Sequence, residues 1–216
     1  MQADLIVTDP PYKLESGGNT TGEMIGKFAV GTYDNSGSIV ACDIDWPDFM
    51  PLLYASLAGD SHAYIMCNNR HVQAMLTEAE NSGFRFHNLL VWDKGNATPN
   101  RWYMKNCEFT GFFFKGTAKY VNDCGAKQLL YVPQEPYGDH PTTKPTLLMR
   151  HYIEQSSQPG HVVLDPFMGS GATGVAAVRA GRKFIGIEKD AKYFDMCCKR
   201  IEAAQSTSDS KQLAFC

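Results

Sequence analysis

The amino-acid sequence predicts an α/β fold: a doubly wound, mostly parallel sheet with helices on both faces. Three observations predict it. Short apolar runs alternate with segments of helical spacing along the chain. Several of these runs, among them Leu5-Ile6-Val7, Ala63–Cys67 and Val162-Val163-Leu164, lack polar alternation, as strands buried on both faces do. Finally, Gly169-Ser170-Gly171-Ala172-Thr173-Gly174 is a G-x-G-x-x-G between such a run and a helical one, the arrangement of a Rossmann-like sheet.

The first strand must stop at Asp9-Pro10-Pro11-Tyr12, because proline cannot donate to a central ladder. Residues 13–44 then carry six glycines among Asn, Ser and Thr with no apolar period, the composition of a lid-like loop. Asp45 offers a helix N-cap with Pro47 in the first turn; Trp46, Phe49, Met50, Leu53 and Leu57 follow at helical spacing, and Gly59 is the expected stop. After the second strand, Val72, Met75, Leu76 and Ala79 recur at i, i+3, i+4 and i+7 up to Gly83, which completes a β-α-β step. Strands are expected over 84–92, 108–115 and 128–132, and a helix from Pro145 to about Gln155. The strand 162–164 leads through the glycine loop into a helix ending near Ala180. A strand over 184–187 and a helix with Tyr193, Met196, Cys197 and Ile201 on one face close the fold. Residues 205–216 read as a frayed tail, so one domain is expected over 1–204.

Composition narrows the function. The chain has 216 residues, 44 % hydrophobic and 12 % aromatic, with a formal charge of −3, which excludes a disordered segment and a polybasic tail. Its seven cysteines form no C-x-x-C pair and suit reduced thiols better than a metal or redox site, so no metal is expected. No apolar run approaches the length of a membrane span, and the chain opens without the basic and apolar stretches of an export signal. The expectation is a cytoplasmic enzyme with no membrane partner.

The glycine loop is a candidate adenosine site. Its glycines let backbone approach a ligand closely, and Glu188 at the end of the next strand can take both ribose hydroxyls. The same glycines would also serve a tight strand-to-helix turn. Asp165-Pro166-Phe167 separates the candidate ligands, because a carboxylate there would repel the pyrophosphate of a dinucleotide. S-Adenosylmethionine carries no phosphate, and its sulfonium and ammonium suit an acidic pocket. Asp165 could equally cap the helix that follows, and the two roles are compatible.

Asp9-Pro10-Pro11-Tyr12 points to methylation of an exocyclic amine. The amino lone pair of adenine or cytosine is delocalised into the ring, so the nitrogen is a poor nucleophile. Asp9 and the carbonyl of Pro10 can each accept one of its N–H groups, which favours a pyramidal nitrogen with its lone pair free. Pro10 and Pro11 keep the backbone stiff with no competing N–H, and Tyr12 offers a ring on which a flipped base can stack.

In these motifs the sequence resembles the amino-methylating DNA methyltransferases, in the beta-class order where the catalytic motif precedes the cofactor motif. Beside Asp9-Pro10-Pro11-Tyr12, Leu90-Val91-Trp92-Asp93-Lys94 resembles the family strand ending in W-D-K. Lys105, Asn106 and Glu108 ahead of Phe112-Phe113-Phe114-Lys115-Gly116 resemble K-N-x-x-E-x-x-x-F-x-K-G. His140-Pro141-Thr142-Thr143-Lys144-Pro145 is similar to H-P-T-x-K-P, Asp165-Pro166-Phe167 with Gly169-Ser170-Gly171 to D-P-F-x-G-S-G, and Gly186 with Glu188 to G-x-E. Small phage and prophage adenine methylases are closest in look. The resemblance implies a circularly permuted S-adenosylmethionine-dependent methyltransferase fold. It also implies that Asp165, Pro166, Phe167, Gly169, Ser170, Gly171 and Glu188 hold the cofactor, with Thr143 and Lys144 at its methionine end. Asp at the head of the signature is typical of adenine N6 enzymes, Ser of cytosine N4 enzymes. Cytosine N4 is the alternative product; a nicotinamide oxidoreductase would leave Asp9-Pro10-Pro11-Tyr12 unexplained.

The partner implied is DNA. Residues 94–127 hold six cations against two carboxylates, whereas 34–60 hold five aspartates and no cation, so the charge is split between regions. Lys94, Arg101, Lys105, Lys115 and Lys119 are the candidate DNA contacts, with Trp102 and Tyr103 beside them as supports for bases or as core. Only 23 residues separate Gly116 from His140, a recognition segment (116–139) much shorter than relatives that read a defined site carry. A short recognition sequence is expected, and a homodimer would be one way to add reading surface.

Overall fold

The computed structural model describes residues 2–11, 44–98, 103–134 and 143–213. Of the residues singled out above, Tyr12, Arg101, Trp102, His140, Pro141, Thr142 and nearly all of the lid-like loop lie outside the described residues.

The strands are β1 (Ala3–Thr8), β2 (Leu57–Cys67), β3 (Arg85–Thr98), β4 (Lys105–Lys115), β5 (Leu129–Tyr131), β6 (Val162–Asp165) and β7 (Lys183–Gly186). They form one sheet in the order β5-β3-β4-β2-β1-β6-β7. Among the described residues β4 alone runs antiparallel to its neighbours β2 and β3; the other pairs are parallel. The mostly parallel sheet expected from the apolar runs is therefore present. The expected β-α-β step is not a neighbouring one, because β4 pairs along both β2 and β3 and separates them. β3 ends at Thr98 and β4 starts at Lys105, a separation too short for a parallel crossover, so β3 and β4 pair as antiparallel strands.

Helices α1 (Trp46–Ser56) and α2 (Val72–Asn81) cover one face, and α3 (Thr146–Ser156) and α4 (Ala172–Arg179) the other. Strand β1 shows why its run is apolar throughout: Leu5 and Val7 join the cluster around Leu148, Tyr152 and Ala176, while Ile6 joins the one around Met50, Leu53 and Met75. All three are fully buried, each worth roughly 1.5–3 kcal/mol relative to exposure. Asp45 caps α1 as expected, in a capping box with Asp48, whose carboxylate accepts the Asp45 N–H at 2.7 Å.

Gly59 does not stop α1. The helix ends at Ser56, where the Leu57 N–H bonds back to the carbonyls of Leu53 and Tyr54. The Lys115 ammonium then donates to the carbonyls of Tyr54 and Leu57, both at 2.7 Å, so a lysine from β4 satisfies groups that a left-handed glycine would otherwise serve. The last helix, α5 (Ala191–Leu213), packs Cys197 and Ile201 against α4 and runs to Leu213, well beyond the point where fraying was expected.

Candidate active site

Parallel sheets bind ligands beyond the carboxyl ends of their strands. Here β1 and β6 lie side by side, with Leu5 opposite Val163 and Ile6 opposite Leu164, so Asp9 and Asp165 emerge next to one another. The Thr8 hydroxyl donates to Asp165 Oδ1 at 2.7 Å and ties the two motifs together. Asp165 Oδ1 also accepts the Phe167 N–H at 3.1 Å, and the Thr173 hydroxyl adds a further bond. Asp165 is only 4 % exposed. Burial raises its pKa to about 6, against hydrogen bonds from Thr173, Thr8 and Phe167 that lower it, with the neighbouring charge of Asp9 pushing it up further.

The glycine turn follows directly. Gly171 sits at φ 84°, ahead of α4, where a β-carbon would lie 2.4 Å from the Cys197 sulfur. Only glycine allows that close approach of α5 to the turn. Gly169, also at positive φ, donates its N–H to Glu188 Oε2 at 3.0 Å, while Glu188 Oε1 accepts from the Asp190 N–H at 2.9 Å. Ser170 donates to the Thr143 hydroxyl at 3.3 Å, which brings the segment ahead of α3 to the turn. Pro166 is half-buried, and the Phe167 ring packs edge-on against Phe49, 5.1 Å between centroids. Asp165, Phe167, Gly169, Ser170, Gly171, Glu188 and Thr143 are thus gathered at one end of the sheet. Sequence analysis missed Arg200, which reaches from α5 to the Ser170 carbonyl and hydroxyl. Nothing in its spacing marks it, since the contact is made by helix packing alone.

A second set of charges meets the first at Asp9. Lys144 Nζ lies 2.7 Å from Asp9 Oδ2 and 3.0 Å from Glu108 Oε2; Lys94 Nζ lies 3.4 Å from Glu108 Oε1. Glu108 and Lys94 come from β4 and β3, and Lys144 from the segment ahead of α3. Burial alone would raise the Glu108 pKa, but the ammonium groups of Lys144 and Lys94 and their hydrogen bonds prevail and lower it. Pro10 is buried behind Asp9, and Pro11 is exposed.

The candidate DNA lysines do not form one surface. Lys94 is held in the charge chain, and Lys105 is exposed at the start of β4, the end nearer Asp9. Lys115 closes the other end of that strand, roughly 34 Å away at the usual rise per residue, and is engaged with α1. Lys119 lies beyond it, exposed, with its carbonyl 3.1 Å from the His62 ring. The stretch after Gly116 is bound to the domain at that far end: Asn122 donates to the carbonyls of Gln155 and Ser157, and Thr117 to Asp60. A cavity of about 430 Å³ lies there too, lined by His62, His87, His151, Phe112 and Lys119. It contains none of the carboxylates or glycines above and is not the site of their chemistry.

The chain is similar to known DNA methyltransferases. The family described as DNA methylase matches residues 126–199, a span that holds Lys144, Asp165, the glycine turn and Glu188. The Streptococcus pneumoniae type II methyltransferase M2.DpnII is 29 % identical over 226 residues, covering 95 % of this chain and 84 % of that protein. The crystal structure of an M1.HpyAVI–SAM complex superposes with a TM-score of 0.71 at 25 % identity, over 93 % of this chain and 89 % of that one. The cytosine-N4-specific PvuII DNA methyltransferase shares the fold, with a TM-score of 0.67 at 17 % identity over 96 % and 85 % of the two chains.

Proposed function

We propose that this chain is an amino DNA methyltransferase, which moves the methyl group of S-adenosylmethionine to the N6 amine of an adenine flipped out of DNA. The observation that carries this is the meeting of the two motifs: Thr8, the neighbour of Asp9, donates its hydroxyl to the buried Asp165 ahead of the glycine turn.

The donor set suits the cofactor. A buried carboxyl with a raised pKa gains most from a cationic ligand, and Asp165 is such a group. Glu188, whose carboxylate accepts the Gly169 N–H beside the turn, is the acceptor proposed for the ribose hydroxyls. When bound, S-adenosylmethionine supplies an electrophilic methyl group. Asp9 accepts one N–H of the target amine and the Pro10 carbonyl the other, which turns the lone pair out of the ring plane. The buried Pro10 holds that geometry. Tyr12 supplies the stacking face.

The choice of adenine rests on Asp rather than Ser at position 9, since a cytosine-N4 enzyme shares the fold. Short or relaxed recognition, one to about four base pairs, is the reading suggested by the 23 residues between Gly116 and His140, of which Lys119 is hydrogen-bonded to β2 and Asn122 to the end of α3. A homodimer would supply more reading surface. Among the described residues no helix is long and apolar enough to cross a membrane.

The test is to incubate DNA with the protein and S-adenosylmethionine, digest to nucleosides and identify the product by mass. N6-methyladenine is expected. N4-methylcytosine alone would overturn the base assignment and leave the amine chemistry standing; no methylated nucleoside would overturn the function.

A further inference from the structure

Lys144, Glu108 and Lys94 form a chain of charges that ends on the catalytic carboxylate, and the methyl-transfer chemistry above gives them no task. We infer that Lys144 and Glu108 are positioning residues: Lys144 holds the Asp9 carboxylate in place and ionised, and Glu108 holds Lys144. The inference rests on the proposed amine chemistry of Asp9.

The geometry carries it. The side chains of Lys144 and Glu108 are 11 % and 20 % exposed, and the ammonium bridges two carboxylates at 2.7 and 3.0 Å. Fixing a lysine side chain costs rotamer entropy, so a lysine immobilised in a partly dry site needs more than one strong partner. Its backbone is anchored as well, between the buried Thr143, which accepts from Ser170, and Pro145, which caps α3. Three elements far apart in sequence thus converge to fix one carboxylate oxygen, Asp9 Oδ2, and with it the direction of the other.

Glu108 resolves an electrostatic conflict in this arrangement. The amine nitrogen becomes more positive as it attacks, so a bare ammonium beside Asp9 would oppose the reaction that Asp9 promotes. A carboxylate on the far side of that ammonium takes up part of its field, and Lys94 in turn keeps Glu108 charged. Lys144 then anchors Asp9 without cancelling its negative potential. Among the described residues, the titratable groups facing Asp9 include Lys144 ahead of α3, Glu108 on β4 behind it, Asp165 on β6 and the Cys67 thiol at the end of β2. Burial, Asp9 and Glu108 together push that thiol up to about 12, so it stays neutral.

Two variants separate the roles. In Lys144→Met, Asp9 loses a cation; in Glu108→Gln, Lys144 loses a competing anion. Carbon NMR of the labelled Asp9 carboxyl in the cofactor-free protein should show its titration midpoint moving up in Lys144→Met and down in Glu108→Gln. Melting temperatures should confirm that both variants fold; if one does not, the conservative Lys144→Arg or Glu108→Asp replaces it, with a shift of the same sign and smaller size. At saturating cofactor, kcat should fall about 10- to 100-fold in each variant while cofactor affinity changes less than about 3-fold, since misplacement of a reacting group by about 1 Å costs on that order. The acid limb of the pH–rate profile should follow the NMR midpoints.

Midpoints that do not move, or that move in the same direction, would overturn the inference whether or not the wild type methylates DNA. Loss of cofactor affinity with kcat unchanged would do so too, and would return Lys144 to the cofactor pocket. A wild type that binds DNA and cofactor yet transfers nothing, with the NMR shifts as expected, would instead overturn the function proposed above.

Discussion

Asp9-Pro10 and Asp165-Pro166 are two copies of one dipeptide at the ends of two adjacent parallel strands, and the protein gives them opposite surroundings. Asp9 has an ammonium at 2.7 Å. Asp165 has two hydroxyls and a backbone N–H, and its carboxyl is raised to about 6 by burial. A carboxylate held by a fixed cation stays ionised and keeps its direction, as an acceptor for an amine N–H must. A carboxylate satisfied only by neutral donors keeps an unmet demand for positive charge, which an incoming sulfonium and ammonium can meet. The difference teaches that the task of each aspartate is set by what faces it, since the following proline and the parallel pairing of the strands are shared.

The comparison breaks most visibly if Asp9 proves dispensable. Asp9→Ala should lower methyl transfer by ~10²- to 10³-fold or more, the usual effect of losing one positioned electrostatic group. Calorimetry should show S-adenosylmethionine binding largely intact, because Asp9 acts on the amine. Wild-type turnover in that variant would sink the assignment of the two roles.

Asp165→Asn should do the reverse. It removes the charge that the cofactor meets, so affinity should fall roughly 10- to 100-fold, the worth of about 1.5–3 kcal/mol for a hydrogen bond or contact to a charged group. The same variant should be more stable without cofactor. A carboxyl raised in the folded state binds its proton more tightly there than when unfolded, so as pH climbs from about 4 to 6 its ionisation costs stability. A rise of about two pKa units corresponds to about 3 kcal/mol above pH 6, of which a neutral isostere recovers part. At pH 8 the melting temperature of Asp165→Asn should lie several degrees above wild type; a lower one would show that its hydroxyl partners need the charge.

A smaller effect sharpens the same contrast. Cofactor affinity in the wild type should weaken as pH falls through about 6, where Asp165 takes up its proton and no longer attracts a cation. The Asp165→Asn variant should show no such step. Isothermal titration at pH 5, 6, 7 and 8 in both proteins measures it, and a step that persists in the variant would move the titrating group elsewhere.

How much of this could be seen in the sequence differs between the two aspartates for a physical reason. The surroundings of Asp165 are largely local: Phe167 and Thr173 lie within eight residues of it, and the glycines between them announce themselves by spacing. The ion pair on Asp9 is not local. Lys144 and Glu108 are 135 and 99 positions away along the chain, and they meet only because β4 enters the sheet reversed between β2 and β3 and α3 starts at the ligand end. Their motifs were legible as family resemblance, but their pairing was not, and Lys144 read as a cofactor residue. The reversed strand escaped notice because a buried antiparallel strand such as Phe112-Phe113-Phe114 is as evenly apolar as a parallel one. Gly59 misled for a similar reason: the lysine that satisfies the end of α1 comes from Lys115, remote in sequence.

Lys115 also provides the smallest test, against Lys105 at the opposite end of β4. On sequence alone both are candidate DNA contacts, because there a lysine is only a charge. In the fold Lys105 is exposed beside the ligand end, while Lys115 donates to two carbonyls of α1 and lies 4.5 Å from the centre of the Tyr54 ring. If Lys105 neutralises a phosphate, Lys105→Ala should reduce the slope of log affinity for DNA against log salt by about 1 and weaken binding a few-fold at moderate salt, without changing the melting temperature. Lys115→Ala should leave the salt slope alone and destabilise the protein by about 1.5–3 kcal/mol, because carbonyls at the end of a helix lose a charged donor. Fluorescence anisotropy with a short duplex at three salt concentrations, beside thermal melts of the same samples, reads both effects. A salt slope that falls in Lys115→Ala and stays put in Lys105→Ala would place DNA across the far end of the sheet, away from Asp9, and so contradict the geometry proposed for methyl transfer.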